Sequence, residues 1–354
     1  MQVPLAAVRH KQGRLLGRME GMGFSLRQEA KLETLTLDVV KTSEIEGESL
    51  SAQQVRSSLA RRLGMDIAGA VSAERNVEGV VEMMLDATQN FEKPLGAERL
   101  FGWQAALFPT GHSGIHKITV GGWRDDARGP MQVVSGPMGR ESLHYEAPSA
   151  RVLDVEMTKF IEWVNQPNGI DPVLKSAIAH LWFVTIHPFD DGNGRIARAI
   201  ADWILARSEK SSQRFYSMSA QIRLEGNAYY YILERTQKET LDITAWLQWF
   251  VDCFDRALDA TEKTLASVLR KARFWETHAS AAINERQRLV LNKLVNGFEA
   301  GFEGKLTSSK WTKLAKCSQD TAYRDIQDLI EKGILVKDAA GGRSTSYSLT
   351  ESGK

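Results

Sequence analysis

Cysteine is almost missing from this chain. Only Cys253 and Cys317 occur in 354 residues, far apart and without metal-ligand spacing, which argues against a disulfide framework and a zinc site and fits a reducing cytoplasm. An excess of one charge is missing too. With 45 Lys and Arg against 44 Asp and Glu, the chain has no overall attraction to nucleic acid or to an anionic membrane, and any such contact has to be local. No stretch reaches the ~20 consecutive apolar residues that a spanning helix needs, so no membrane segment is expected. Residues 1–16 carry scattered charge rather than the apolar run of an export signal. Internal repeats and low-complexity tracts are likewise wanting. What is present is length enough for a large core divided among two or three structural units.

Apolar residues recur at helical spacing over residues 28–40 and 53–63, so the N-terminal third reads helical. Between these runs Thr42, Ser43, Glu44, Ile45, Glu46 and Gly47 have the hydroxyl, acid and glycine composition that ends one helix and begins another. Residues 111–148 are rich in Gly and Pro, with short alternating runs such as 131–135, and predict a small hairpin or extended flap. The helical period returns over residues 152–163 and 172–186. The second run is almost wholly apolar around Leu181, Trp182, Phe183 and Val184 and predicts a buried helix. Helical patterning resumes over residues 196–205, 229–237 and 243–274. From residue 284 onward short helices are followed by two strand-like runs around Gly341 and Gly342, the outline of a winged helix. The expected division is residues 1–100, 101–275 and 276–354.

Chemistry concentrates at the end of the buried helix. His187 precedes Pro188, which disfavours helical geometry in the residue before it and turns the chain. Gly192, Asn193 and Gly194 supply a loop able to take positive φ, and a new helix begins at about Arg195. Amides at a helix N-terminus face outward with the positive end of the dipole and receive phosphate oxygens. Arg195 and Arg198 are three residues apart, so both guanidiniums lie on one face and can reach a polyphosphate over that terminus. Asp191 is placed to carry Mg2+ together with phosphate oxygens. His187, with a reference pKa of ~6.5, can take a proton from an attacking hydroxyl at neutral pH. Each of these features alone commonly has a packing explanation; their order within twelve residues does not.

Residues 187–198 resemble the signature of the Fic family, His-Pro-Phe-x-Asp/Glu-Gly-Asn-Gly-Arg-x-x-Arg, with no departure. The likeness extends to residues 131–136 and 145–148 and to Tyr229 and Tyr230. The resemblance implies an all-α Fic fold with a small β-hairpin flap, ATP as donor, and in-line attack of a Tyr, Thr or Ser hydroxyl of a target protein on the α-phosphate. It makes His187 the base and Asp191 the Mg2+ ligand. Gly192, Asn193 and Gly194 become the phosphate cradle, Arg195 a phosphate clamp, and Arg198 the γ-phosphate partner. Phe189 would anchor the loop in the core. The glycine after Asp191 matches nucleotidyl-transferring members rather than the phosphotransferring branch. The flap, residues 131–144, would pair with an extended stretch of the target by strand addition, and Tyr229 and Tyr230 would lie near the adenine.

Thr42 through Gly47 also match the family's inhibitory pattern, Ser/Thr-x-x-x-Glu-Gly/Asn. A Glu46 carboxylate delivered to Arg198 would occupy the guanidinium meant for the γ-phosphate. The chain thus resembles an autoinhibited protein adenylyltransferase, with self-modification and homodimer formation as further expectations by analogy. Two other readings stay open: removal of AMP with Glu46 orienting the water, and an ATP-sensing winged-helix regulator. In the C-terminal unit, helix-turn-helix in outline (α+β), Thr321, Tyr323 and Arg324 are placed to face a DNA groove and Arg343 a phosphate. Asp320, Asp325 and Asp328 dilute the positive field there, so DNA contact competes with protein docking.

Overall fold

A computed structural model of the chain describes all residues except 1, 68, 128, 137–139, 141, 297–301, 303, 339–344 and 351–354. Two compact units are present, Met1–Glu262 and Lys263–Lys354, with the boundary inside one long helix.

The first unit is built on helices. They are α1 (Gln2–Glu20), α2 (Phe24–Ile45), α3 (Ala52–Arg62), α4 (Arg75–Gln89) and α5 (Ala97–Leu107). After two hairpins come α6 (Leu153–Asn165), α7 (Pro172–Ile186), α8 (Asn193–Glu209), α9 (Met218–Leu224), α10 (Gly226–Lys238) and α11 (Thr244–Thr277). The hairpins are small and antiparallel: β1 (His112–Ser113) with β2 (His116–Lys117), and β3 (Gln132–Ser135) with β4 (Ser142–Glu146), the latter shifting register between Val133 and Val134. Two hairpins therefore occupy the Gly- and Pro-rich stretch where one flap is expected. No described helix is long and apolar enough to cross a membrane.

The buried run read from the sequence is α7. Asp171 caps it by accepting from the Val173 amide at 2.8 Å, and Pro172 occupies its first turn, where a missing N–H costs nothing. It packs along α8 through Ala179, Phe183, Ile186, Ile196, Ala197, Ile200 and Trp203, all buried in one core with Val80, Met84 and Leu100 from the neighbouring helices. α8 is enclosed nearly all round, which puts Arg195, Arg198 and Asp202 inside the protein.

Helix α2 runs further than its sequence pattern suggests. Thr42 and Ser43 form part of its last turn rather than a break, because both are fully buried and the Thr42 hydroxyl is engaged with Arg198. The chain leaves the helix at Glu46 and starts α3 from Ser51, whose side chain accepts from the Gln54 amide.

In the second unit α12 (Glu285–Asn296), α13 (Ser308–Ala315) and α14 (Gln319–Glu331) precede β5 (Leu335–Lys337) and β6 (Tyr347–Leu349). The two strands pair antiparallel, and Leu306 bridges to Tyr347. Trp311, Ile326, Leu329 and Ile334 fill a core of its own. The expected wing residues Gly341, Gly342 and Arg343 lie outside the described residues.

Candidate functional site

α7 ends at His187 in the left-handed region, φ 52° and ψ 57°, an uncommon conformation for a residue with a Cβ. Pro188 forces the turn from one side and a buried arginine holds it from the other. Arg124 Nε donates to the His187 carbonyl at 2.8 Å, its own amide donates to the Pro188 carbonyl at 2.9 Å, and Nη1 pairs with Asp126 at 2.9 Å. Nothing in the local sequence marks Arg124, which sits in the Gly-rich stretch 63 residues before the histidine.

The His187 ring has a fixed tautomer. Nδ1 lies 3.2 Å from the Val184 carbonyl, an acceptor only, so Nδ1 carries the hydrogen and Nε2 keeps a bare lone pair. Burial lowers the pKa of the ring below its ordinary value; the Val184 carbonyl opposes this, Arg124 adds to it, and Glu46 and Asp191 oppose it. The resting ring is neutral.

Phe189 is fully buried against Phe101, Trp123 and Phe183 and anchors the loop. Asn193 closes the turn from within: its Oδ1 accepts from the Phe189 amide at 3.0 Å and its Nδ2 donates to the Phe189 carbonyl at 2.8 Å. The Asn193 side chain is thus committed to the loop, and the backbone amide is what it can offer an anion. Gly192 has φ 91°, and a Cβ there would press on Phe108 and Leu107 at 3.0 and 3.1 Å. Behind it the amides of Asn193, Gly194 and Arg195 form the first turn of α8, where no carbonyl of the helix can accept them.

Asp191 lies beside this terminus. Its Oδ1 accepts from the Gly192 amide at 2.6 Å and its Oδ2 from the Ser113 hydroxyl on β1. Its neighbour Asp190 instead accepts from the Thr119 amide at 2.8 Å. Among the described residues no three His, Cys, Asp or Glu side chains form a metal cage. One partly exposed carboxylate beside a helix N-terminus fits Mg2+, which takes few carboxylates and completes its shell with phosphate oxygens and water.

Both motif arginines are buried and both are occupied. Arg198 donates through Nε to the Thr42 hydroxyl at 2.7 Å, and through Nη2 to the Thr42 carbonyl at 2.9 Å and the Glu46 carboxylate at 2.7 Å. Burial is the strongest single influence and would lower its pKa, but the Glu46 carboxylate together with Tyr229 and Tyr230 outweighs it, and the net shift is upward. Gly194 gives that carboxylate room, since a Cβ there would lie 2.2 Å from Glu46 Oε1. Arg195 lies over the Phe108 ring and donates to Glu48 Oε2 at 2.6 Å, a contact the sequence reading did not anticipate.

Tyr229 and Tyr230 part company. Tyr229 is a core residue enclosed by His180, Trp246 and Trp249, its hydroxyl 3.0 Å from His180 Nε2, so its ring has no open face for a base. Burial pushes the His180 imidazole down to about 3 and keeps it neutral. Tyr230 is half exposed and its hydroxyl donates to the Ile45 carbonyl at 2.8 Å. The β3–β4 hairpin is tied to α7 by the Tyr145 hydroxyl on the Thr185 carbonyl at 2.9 Å, and to α10 by His144 and Glu234 at 2.7 Å. Val134 and Leu143 stay exposed on it.

In the second unit Tyr323 and Arg324 are exposed on α14, whereas Thr321 is drawn into the helix cap with Ser318. Asp325 is buried and paired with Arg286, and Asp328 is paired with Lys332, so each pair spends one acid and one base of the face.

Residues 94–205 match the Fic/DOC family, and residues 1–65 match a domain of unknown function, DUF4172. Among curated proteins, the chain is 25% identical to "Protein adenylyltransferase Fic" of Drosophila mojavensis over 241 residues, 66% of this chain and 43% of that protein. It is 31% identical to "Protein adenylyltransferase fic-1" of Caenorhabditis elegans over 178 residues, 50% of this chain and 32% of that one. The chain therefore spans less than half the length of these relatives. A crystal structure of a Fic family protein from Desulfovibrio desulfuricans aligns with 99% of this chain and 97% of its own at a TM-score of 0.54 and 19% identity, a likeness of fold. An unbroken motif on a loop braced between α7 and α8, within a helical fold with small hairpins, and these matches place residues 94–205 in the Fic/DOC family.

Proposed function

We propose that this chain transfers AMP from ATP to a hydroxyl of a protein substrate and that Glu46 restrains the transfer. The observation that carries the reading is the pairing, in one short turn, of a His187 ring with a bare Nε2 and a helix terminus whose first amides have no acceptor in the helix and whose first two turns carry two buried arginines. In the reaction a Tyr, Thr or Ser oxygen attacks the α-phosphorus as the bond to the β-phosphate oxygen breaks. The hydroxyl proton passes to His187 Nε2, and pyrophosphate leaves. The free amides of Asn193, Gly194 and Arg195, with the Arg195 and Arg198 side chains, hold the phosphates, while the Gly192 amide stays on Asp191. Mg2+ bound by Asp191 and phosphate oxygens would offset the charge of the departing pyrophosphate. Tyr230, rather than the buried Tyr229, offers an exposed ring for the adenine, and the β3–β4 hairpin offers an edge to the target chain.

Restraint follows from competition. While Glu46 occupies Arg198, a γ-phosphate has to displace a charge-assisted hydrogen bond inside the protein or bind without that arginine. Transfer of α-labelled AMP into protein by the parent, Glu46→Gly and Glu46→Gly/His187→Ala chains tests both halves. Strong labelling by Glu46→Gly that is lost in the double variant is expected. Equal labelling by parent and Glu46→Gly removes the restraint. Nucleotide binding without label in any variant, cell extract included, moves the protein to the nucleotide-sensing class, and loss of AMP from a premodified target would mark the reverse activity.

The second unit is read as a winged helix-turn-helix presenting Tyr323 and Arg324 from α14. Each pairing of Asp325 and Asp328 also consumes a cation, Arg286 or Lys332, so the net field is unchanged, and salt-dependent retention of the full chain on duplex DNA decides between DNA contact and protein docking. A homodimer and a cytoplasmic setting belong to the same reading.

A further inference from the structure

We infer that Glu48 is a second arm of the restraint, a carboxylate that occupies Arg195 as Glu46 occupies Arg198. The end of α2 then covers both phosphate-binding arginines. This rests on the proposed nucleotide site and concerns how that site is closed.

The geometry begins with the way α2 stops. Gly47, at φ 81°, is the left-handed residue after the helix; its amide donates to the Glu44 carbonyl at 3.2 Å, and the Glu48 amide donates to the Ser43 carbonyl at 3.0 Å. These two bonds are those of a Schellman cap, so the backbones of both Glu46 and Glu48 are set by the helix end. Two carboxylates two residues apart across the cap then meet two guanidiniums three residues apart on α8, at 2.7 Å and 2.6 Å.

An independent observation points to a ligand that both arginines await. Arg195 Nε and Arg198 Nη1 are buried without a hydrogen-bond partner. A buried donor left unpaired is costly, and a guanidinium has five donors that match phosphate geometry. The two carboxylates therefore only partly satisfy a site that a polyphosphate would satisfy further.

The arms are unequal. Glu46 is seated over Gly194 and its side chain is 33% exposed, whereas that of Glu48 is 44% exposed. Glu48 can leave Arg195 for water with little rearrangement, while Arg195, at 4% exposure, stays fixed over Phe108. Glu48 accordingly governs entry of the phosphate that Arg195 takes, and Glu46 governs the γ-phosphate.

Equilibrium binding of AMP, ADP and ATP to the full chain tests this in the parent, Glu48→Ala, Glu48→Gln and Glu46→Gly, with thermal unfolding recorded for each. ADP lacks the γ-phosphate, so its affinity reports on Arg195 without the Glu46 contest. The inference expects Kd for ADP to fall roughly three- to tenfold in Glu48→Ala, and by less in Glu48→Gln, while AMP is unchanged. Glu46→Gly should tighten ATP more than ADP. ADP affinity that is unchanged or weaker in Glu48→Ala, at unchanged melting temperature, overturns the inference, since Glu48 would then be an indifferent neighbour or a support of Arg195. Because binding is read without turnover, tighter ADP with no AMP transfer in Glu46→Gly would keep this arm and discard the transferase reading.

Discussion

The back and the front of the motif loop are held in opposite ways. Behind it, Arg124 grips the His187 and Pro188 carbonyls, Asn193 closes on Phe189, and the Phe189 ring is buried among aromatics. In front, the arginines meet the carboxylates of Glu46 and Glu48, each a third or more exposed. Buried contacts resist opening because each broken one strands a desolvated polar group, while a half-exposed carboxylate can be re-solvated as it leaves. The difference separates a half of the site held by buried contacts from a half held by partly solvated ion pairs.

Breaking the back should have the largest effect. Arg124→Ala removes the Nε contact to the His187 carbonyl and strands that buried acceptor, while the backbone amide at 124 still donates to Pro188. In a Glu46→Gly background, transfer should fall about a hundredfold through misplacement of His187. Denaturant unfolding should show a loss of about 2 kcal/mol. Retention of full activity would mean that Pro188 and the backbone bond from residue 124 fix the turn without the guanidinium.

The pH profile probes the same half more gently. Because burial lowers the His187 pKa, its neutral, base-competent form persists below pH 6.5. The acid limb of kcat/KM in Glu46→Gly should therefore lie below pH 6.5, falling about tenfold per unit beneath it. For stability the sign is the same: the unfolded chain binds the extra proton first, so His187 favours folding above ~6.5 and this contribution is lost as pH falls toward the lowered native value. An acid limb above 6.5 would point to another base or to a solvated ring.

Loosening the front should give the smallest change. Thr42→Val deletes the hydroxyl that accepts from Arg198 Nε but keeps Glu46 and the Thr42 carbonyl in place. Loss of one hydrogen bond to a charged group predicts transfer raised roughly three- to tenfold, well short of Glu46→Gly. A Thr42→Val chain as active as Glu46→Gly would shift the restraint from the carboxylate to the hydroxyl.

The motif was legible because its contacts are local. Pro188, the glycines and the paired arginines act within a few residues, and their order fixes a turn, a helix start and a shared face. The contact of Glu46 with Arg198 was legible through its short pattern, though its segment was expected to break the helix that in fact runs to Ile45. Residues acting over distance were not. Arg124 works 63 residues from its histidine, Ser113 reaches Asp191 across 78, and Glu48 meets Arg195 across 147. The Tyr229 and Tyr230 pair marked a location, but sequence alone could not say which ring is enclosed.

By itself, then, the sequence determined the loop and the helical character of what surrounds it, because backbone preferences and side-chain spacing along one turn are set by neighbours in the chain. Only the tertiary structure decided which donors remain free, which arginine meets which carboxylate and which tyrosine is covered. Those outcomes depend on helix packing, which brings distant residues together and removes them from water.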